Sequence, residues 1–375
     1  MSRALLPVAL LAVACAGAPP RDPADLACTS APVAGVHPRA AALAAALARA
    51  HAAGLPGLAA LVRSPEGTWV GAAGLADLDL LAPMQPCTRS RVGSVSKTFT
   101  ALLVLRLVDQ GVVDLDQPLA RYVAAADLQG IANGGLATVR QALQHTSGIP
   151  HGLDDLGTGL AYLFEHPTTP RDMRAYLDGI RGRPADFPPG QGWRYSNSNY
   201  HLLGLLVEAV TGRTFAEALR VELLVPLGLA ATTFGPATGL ARGYLDRHGD
   251  GTLMDSTDFT LGVETPAGGV GSSVLDVARM VEAAAAEPRL AQWVEVPAAS
   301  AVTPGQTGYG LGLMRWHSAR GDAVGHAGFT FGWEARAWVL PERQVTVVLL
   351  TNAALGLPHR TLLETEAEVL SALLD

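Results

Sequence analysis

The stretch Gly93-Ser94-Val95-Ser96-Lys97-Thr98-Phe99-Thr100, with the apolar run Ala101–Val108 behind it, predicts a buried helix that stops at Gly111. Ser94 and Lys97 stand three positions apart and therefore share one face of such a helix. Lys97 is the only lysine in the chain, and a lysine can release its proton when buried, whereas an arginine does not. Proton transfer is therefore the first hypothesis, and the spacing would let the hydroxyl and the amine meet. The alternative is a capping serine followed by a lysine that reaches solvent.

The composition indicates a compact protein with a large core and limits its partners. Among 375 residues, 49% are hydrophobic and 16% are charged. The net charge of -7 and the lack of a Lys or Arg cluster argue against a nucleic-acid partner. The ten histidines are scattered and no H-E-x-x-H motif occurs, so we expect neither a metal nor a cofactor. We expect a monomer.

The N-terminus has the pattern of a secretory signal. One positive charge precedes the apolar run Ala4–Ala14, which is too short to span a bilayer. The segment Leu11-Ala12-Val13-Ala14-Cys15 resembles a bacterial lipoprotein processing box, in which the cysteine becomes the lipid-bearing first residue. We therefore expect residues 1–15 to be a lipoprotein-type signal and Cys15 to attach the protein to a membrane in the periplasm or cell envelope. Ordinary cleavage nearby is the alternative.

The following segment, residues 16–36, contains four prolines and reads as a flexible tether. If Cys15 is lipidated, Cys28 and Cys87 are the cysteines that remain, and an oxidising compartment would allow them to form a disulfide. Such a bridge would staple the N-terminal arm to the segment just before Ser94. The alternative is two separate buried thiols.

The order of patterns along the chain predicts an α+β fold. An alanine-rich helix and a hairpin of two strands, Gly57–Ser64 and Thr68–Leu75, come first. A mostly helical middle follows, in which Asn199–Thr211 and Thr214–Leu223 are the clearest helices. Several strands, the first at Gly308–Trp316, and a last helix end the chain. We therefore expect one domain over residues 37–375, in which both chain ends build an antiparallel sheet flanked by helices. An all-α lobe is expected as an insert at about 115–265, with a ligand cleft between the lobes.

Two further polar clusters stand at element boundaries. Tyr195-Ser196-Asn197 lies directly before an apolar helix predicted for Asn199–Thr211, and a capping role does not explain Tyr195 or Asn197. A loop tyrosine with a buried ring is the structural alternative. Gly325-His326-Ala327-Gly328 lies at the end of a predicted strand, where glycines allow the backbone to approach a ligand closely.

Together the three clusters resemble the motifs of the serine β-lactamase and penicillin-binding protein superfamily, which are S-x-x-K, Y-x-N and K-T-G. Their order and spacing are similar to the branch of class C β-lactamases and D-alanyl-D-alanine carboxypeptidases, which also includes esterases and amidases. The resemblance extends from about residue 40 to residue 375 and implies a β-lactamase/transpeptidase-like fold. It also implies a small-molecule or peptide substrate.

By this resemblance, Ser94 is the nucleophile that forms an acyl-enzyme, and Lys97 and Tyr195 are the acid/base pair, sharing protons in an order that the sequence leaves open. Asn197 would hold Lys97 or a substrate amide. The backbone N–H groups of Ser94 and Phe329 would stabilise the oxyanion.

The third motif departs from the family pattern. His326 and Ala327 replace its lysine and threonine before Gly328, which removes a permanent cation and a hydroxyl that help to hold a substrate carboxylate. Phe329 follows where a small residue is usual. Uncharged esters or amides therefore gain support, while β-lactam, D-alanyl peptide and ester substrates all stay open. The alternative from another class is a non-hydrolytic binding or scaffold protein that retains the fold.

Overall fold

The structure is a computed structural model that describes Leu26 and residues 37–152, 165–236, 238–246, 248–260, 264–318, 320–354 and 361–375. The expected signal, Cys15 and Cys28 lie outside the described residues, as does the tether apart from Leu26, which packs against the core. Cys87 is disulfide-bonded. Its pairing with Cys28 stays a prediction.

Strands occur in both halves of the described chain. They are β1 (Gly57–Ser64), β2 (Gly67–Asp77), β3 (Ala82–Pro83), β4 (Ser90–Arg91), β5 (Thr233–Phe234), β6 (Tyr244–Asp246), β7 (Leu253–Asp255), β8 (Val270–Ser272), β9 (Val294–Glu295), β10 (Gln306–Tyr309), β11 (Met314–Ser318), β12 (Gly321–Thr330), β13 (Trp333–Leu340), β14 (Val345–Thr351) and β15 (Ala353–Ala354). The α-helices are α1 (Ala40–Ala52), α2 (Ser96–Asp109), α3 (Ala125–Leu128), α4 (Val139–Gln144), α5 (Met173–Asp178), α6 (Asn197–Thr211), α7 (Phe215–Leu219), α8 (Val274–Ala285) and α9 (Leu362–Leu374).

Nine strands form one antiparallel sheet in the order β3-β2-β1-β14-β13-β12-β11-β10-β9. The β1–β2 hairpin turns between the paired residues Ser64 and Gly67. Next to it, β1 pairs with β14, with Leu58 opposite Thr351. The sheet is therefore built from both ends of the chain, and the predicted α+β class is confirmed.

Each face of this sheet is covered by helices. On one face, α1 and α9 share an apolar cluster with strand residues such as Leu58 and Val347. On the other face, α2 and α8 share a cluster with Leu61 and Val348. Neighbouring residues of β14 belong to different clusters because successive side chains of a strand point to opposite faces.

The helix α2 passes through the interior, buried on most of its surface. It ends at Asp109, and Gly111 follows with a φ of 73°, a left-handed conformation that favours glycine. In the described ranges, no helix is both long enough and apolar enough to cross a membrane.

One strand predicted as continuous is in fact two strands. The pattern at Gly308–Trp316 predicts a single strand, but the structure divides it into β10 and β11. Gly312 lies in the connecting turn with a φ of 76°, and a Cβ there would lie 2.6 Å from the Cβ of Ala101. The chain turns here because α2 packs directly beneath it.

The insert at about 115–265 is mainly helical but not all-α as predicted, because it contains β5, β6 and β7. These short strands complete small sheets with distant parts of the chain: β5 joins β4 and β8, while β6 joins β15. The helix predicted for Thr214–Leu223 is α-helical only to Leu219 and continues as the π-helix Arg220–Leu224. Local patterning does not show such long-range pairing.

Candidate active site

A tight 3₁₀ turn before α2 brings Ser94 against β12. The turn begins at Gly93, which has a φ of 50°. A Cβ on Gly93 would lie 2.6 Å from the backbone nitrogen of Phe329, and one on Gly328 would lie 1.9 Å from the carbonyl oxygen of Val92. Glycine at both positions therefore allows this approach, which places the backbones of Ser94 and Phe329 next to each other.

β12 offers an open edge at the same place. β11 pairs with β12 only as far as Gly325, whereas β13 pairs with it as far as Thr330. In the sheet as described, residues 326–330 therefore have a strand neighbour on one side only. The 3₁₀ turn that carries Ser94 packs against this part of β12, at Gly328 and Phe329.

Lys97 is fully buried, and its amine lies between hydrogen-bond acceptors and aromatic rings. Nζ donates to Ser94 Oγ at 3.1 Å and to the carbonyl oxygen of Ala267 at 2.9 Å. It also lies 4.8 Å from the centre of the Tyr195 ring and 5.5 Å from that of Tyr200. The structure thus brings Ser94, Lys97 and Tyr195 together, with Lys97 close enough to exchange a proton with the serine hydroxyl.

Side chains of α2 fix the loop that supplies the Ala267 carbonyl. Thr100 Oγ1 donates to the carbonyl oxygen of Pro266 at 2.9 Å, and Thr98 Oγ1 donates to that of Gly312 at 2.8 Å. Sequence reasoning did not identify Ala267 as a partner of Lys97. A backbone acceptor leaves no side-chain signal, because every residue carries the same carbonyl group.

Asn197 begins α6, two positions after Tyr195, and its backbone N–H donates to His151 Nδ1 at 3.1 Å. Its Oδ1 is buried and accepts no hydrogen bond within the described part of the chain. Asn197 was expected to hold either Lys97 or a substrate amide. Its Oδ1 accepts no hydrogen bond from Lys97. A role toward a substrate amide stays a proposal.

His145 is a neighbour of the site that sequence reasoning did not include. It is fully buried, and its ring centre lies 4.4 Å from that of Tyr195. Its Nδ1 accepts the backbone N–H of Ser196 at 3.2 Å. Burial, followed by the charge of Lys97, lowers the pKa of His145 well below its usual value, so the ring is neutral. The sequence feature that could have identified His145 is the motif His145-Thr146-Ser147-Gly148, which stands at the end of a helical segment.

His326 is also fully buried and neutral. Tyr309 Oη donates to its Nε2 at 2.9 Å, and its Nδ1 donates to the carbonyl oxygen of Ala327 at 2.5 Å. Burial, and then the charge of Lys97, lowers the pKa of His326 to about 3. Burial likewise raises the pKa of Tyr309 well above its usual range. Position 326 therefore supplies no cation to a substrate carboxylate.

A cavity of about 420 Å³ adjoins the site at Tyr195. It is lined by Asp186, Phe187, Trp193, Arg194, Tyr195, Ala299, Ser300 and Val302. Arg194 and Asp186 form an ion pair at 2.6 Å in its wall. The described residues contain no group of three or more His, Cys, Asp and Glu side chains that could hold a metal ion.

Residues 42–370 match the family described as Beta-lactamase. The chain belongs to the β-lactamase family. The esterase EstB of Burkholderia gladioli is 35% identical over 179 residues, which are 46% of this chain and 45% of the esterase. The chain thus spans less than half the length of this curated relative. The family resemblance drawn from the three polar clusters is confirmed.

Solved structures extend the similarity of this β-lactamase family member to almost the whole fold. A D-stereospecific amidohydrolase from Streptomyces sp. is 27% identical with a TM-score of 0.74, over 89% of this chain and 98% of that chain. The octameric penicillin-binding protein homologue from Pyrococcus abyssi is 25% identical with a TM-score of 0.70, over 86% of this chain and 74% of that chain. The β-lactamase/transpeptidase-like fold is thereby confirmed.

Proposed function

We propose that the protein is a serine hydrolase that cleaves an ester or amide through an acyl intermediate on Ser94. The observation that carries this proposal is the 3.1 Å hydrogen bond between Ser94 Oγ and the buried amine of Lys97. A serine hydroxyl is a weak nucleophile near neutral pH and needs an adjacent base. In this site the Lys97 amine contacts the hydroxyl, and the centre of the Tyr195 ring lies 4.8 Å from that amine.

In the proposed reaction, Ser94 Oγ attacks the substrate carbonyl carbon while its proton passes to the Lys97–Tyr195 pair. The backbone N–H groups of Ser94 and Phe329 stabilise the oxyanion. The carbon–leaving-group bond then breaks, and the alcohol or amine takes the proton from the pair. Water attacks the acyl-Ser94 ester, loses a proton to the pair and releases the acid, and Ser94 regains its hydroxyl.

We propose substrates that carry no carboxylate at the position facing Ala327. His326 is neutral and hydrogen-bonded to Tyr309, and Ala327 has no hydroxyl, so this part of β12 provides neither of the groups that would hold such a carboxylate. The relatives include an esterase and an amidohydrolase. A short-chain nitrophenyl ester should be hydrolysed faster than a D-alanyl-D-alanine peptide or a chromogenic cephalosporin.

Labelling with a fluorophosphonate, followed by peptide mass mapping, tests the nucleophile. We expect a single adduct on Ser94 that disappears in Ser94→Ala. Ser371→Ala, which alters a hydroxyl on the surface of α9, should label like the parent protein. An adduct on another residue would overturn the assignment. If nothing is labelled and no ester, lactam or peptide is cleaved, the alternative of a non-hydrolytic binding or scaffold protein is favoured.

We also propose that the protein is exported as a monomer and attached to a membrane by lipid on Cys15, because residues 1–15 have the pattern of a lipoprotein signal. The parent protein, expressed in a bacterial host, should partition into the membrane fraction and carry a lipid mass on the cysteine. The variant Cys15→Ala should appear in the soluble fraction. An unmodified, membrane-free parent protein would contradict the proposal.

A further inference from the structure

His145 contacts the chain on both sides of Tyr195. Its carbonyl oxygen accepts the backbone N–H of Arg194 at 3.1 Å, and its Nδ1 accepts the backbone N–H of Ser196 at 3.2 Å. Between these two bonds, its ring packs on the Tyr195 ring with centres 4.4 Å apart and planes inclined by 38°. One residue thus holds the tyrosine by both neighbours and by its ring.

The backbone at His145 is in an unusual conformation that makes this arrangement possible. His145 follows α4 as its C-terminal cap with a φ of 63°, in the left-handed region that normally favours glycine or asparagine. The residue is fully buried. The left-handed turn carries the chain out of α4, so that both the carbonyl group and the ring of His145 meet the Tyr195 segment.

The Nδ1 atom of His145 is a hydrogen-bond acceptor. Nδ1 also lies 3.3 Å from Asn199 Nδ2, while Asn199 Oδ1 accepts the hydroxyl of Ser147 at 2.6 Å. Ser147 therefore orients the Asn199 amide so that its NH₂ group points at His145. With two donors on Nδ1, the proton of the neutral ring must reside on Nε2.

We propose that His145 is a positioning residue that holds Tyr195 at the distance from Lys97 required for proton transfer. The inference rests on the proposed function, because it assigns a partner to the acid/base pair of the same site. His145 does not contact the substrate in this proposal; it acts through Tyr195. Errors of about 1 Å in the position of a catalytic group can lower a rate about a hundredfold.

Two substitutions separate the contributions of His145. His145→Phe keeps a ring against Tyr195 but removes the acceptor for Ser196. In His145→Asn, the asparagine can adopt the left-handed backbone conformation, and its side-chain oxygen lies near the position of Nδ1. His201→Phe is the matched control, since His201 on α6 is equally buried and its ring packs on Tyr176 instead of Tyr195.

The kinetics of ester hydrolysis should distinguish positioning from general stability. For His145→Phe we expect kcat to fall about a hundredfold with KM within about threefold of the parent value. The pH at which kcat/KM is half-maximal should also change. His145→Asn should recover kcat to within about tenfold of the parent. His201→Phe should lower the unfolding temperature without changing kcat per active site, as counted by fluorophosphonate titration.

Full kcat in a folded His145→Phe protein would overturn the inference. So would equal kcat losses in His145→Phe and His201→Phe with an unchanged pH profile. If His145→Phe does not fold, the test rests on His145→Asn. A His145→Asn protein with an unchanged pH profile and a kcat as low as about a hundredth of the parent value would contradict the proposal. Failure of the proposed function is separately visible, because the parent protein would then lack activity that depends on Ser94.

Discussion

The amine of Lys97 is enclosed by the Ser94 hydroxyl, the Ala267 carbonyl and the rings of Tyr195 and Tyr200. Its side chain has no exposed surface. An amine in this setting can give up and regain a proton during a reaction, whereas a guanidinium keeps its charge. The chemistry of the site therefore depends on the identity of this cation as well as on its charge.

Lys97→Arg should abolish acylation although it preserves the positive charge. We expect the rate of fluorophosphonate labelling at Ser94 to fall at least about a thousandfold, because the guanidinium that replaces the amine cannot accept the proton of the hydroxyl. Thermal unfolding should show that the variant is folded. Arg106→Lys, an exposed change on the same helix, should label at the parent rate. Labelling of Lys97→Arg within about tenfold of the parent would contradict a proton-transfer role.

At the scale of single residues, the sequence predicted contacts that follow from helical spacing. Ser94 and Lys97 meet because three positions separate them where the 3₁₀ turn continues into α2. The contact between Tyr309 and His326 could not be predicted in this way, since it depends on how two strands of the sheet are placed. Tertiary packing likewise decides that His326 is buried and neutral.

At the scale of elements, the close approach of β12 to the turn before α2 forms the proposed oxyanion site. Gly328 allows it, because a Cβ at this position would lie 1.9 Å from the carbonyl oxygen of Val92. A side chain at this position would separate the two backbones whose N–H groups are proposed to act together. The geometry of the site thus depends on one glycine in the middle of an ordered strand.

Gly328→Ala should lower kcat at least about a hundredfold, as expected for the loss of an oxyanion donor. The added Cβ would lie 1.9 Å from the Val92 oxygen, so β12 and the turn must move apart. Steady-state ester hydrolysis and circular dichroism would measure activity and fold together. Gly135→Ala, where a Cβ meets no atom within 4 Å, is the control. Parent-like kcat in Gly328→Ala would remove Phe329 from the oxyanion site.

Element boundaries were predictable where the pattern is local. The strand β1 occupies Gly57–Ser64 as predicted, because its apolar run ends at a hairpin signal. The break between β10 and β11 was missed, because the turn at Gly312 depends on tertiary packing: a Cβ there would lie 2.6 Å from the Cβ of Ala101. The short strands of the insert were missed for a related reason, since each pairs with a distant segment.

At the scale of the whole molecule, the last helix closes one face of the sheet over a buried ionisable pair. Glu366 on α9 is 1% exposed, and one of its carboxylate oxygens lies 3.5 Å from the Arg336 guanidinium of β13. Neither oxygen accepts a hydrogen bond from the residues that the structure describes. Burial raises the pKa of Glu366 to about 7, although Arg336 opposes the shift.

Stability should therefore decrease as the pH rises from about 4.5 to about 7. A carboxyl group whose pKa is higher in the folded protein stabilises the fold while it is protonated, and that contribution is lost as it ionises. Glu366→Gln should flatten this dependence and increase the free energy of unfolding at pH 8, by at most about 3 kcal/mol. Urea unfolding at several pH values would measure it.

Glu368→Gln is the control, because Glu368 also lies on α9 but is exposed and pairs with Arg49. This change should leave the pH dependence of stability as in the parent protein. A Glu366→Gln variant that is less stable than the parent at pH 8 would show that the interaction with Arg336 outweighs the cost of burying the carboxylate.

The pairing of β1 with β14 determines the order in which the protein can become active as it is synthesised. Thr351 Oγ1 donates to the carbonyl oxygen of Gly57 across a separation of 294 residues. Ser94 and Lys97 leave the ribosome long before β12, β13 and β14, so the nascent chain carries the nucleophile without the strand that supports it. Contacts between such distant segments form slowly and late in folding. The proposed hydrolase would therefore gain its activity only when its C-terminal strands have joined the N-terminal hairpin.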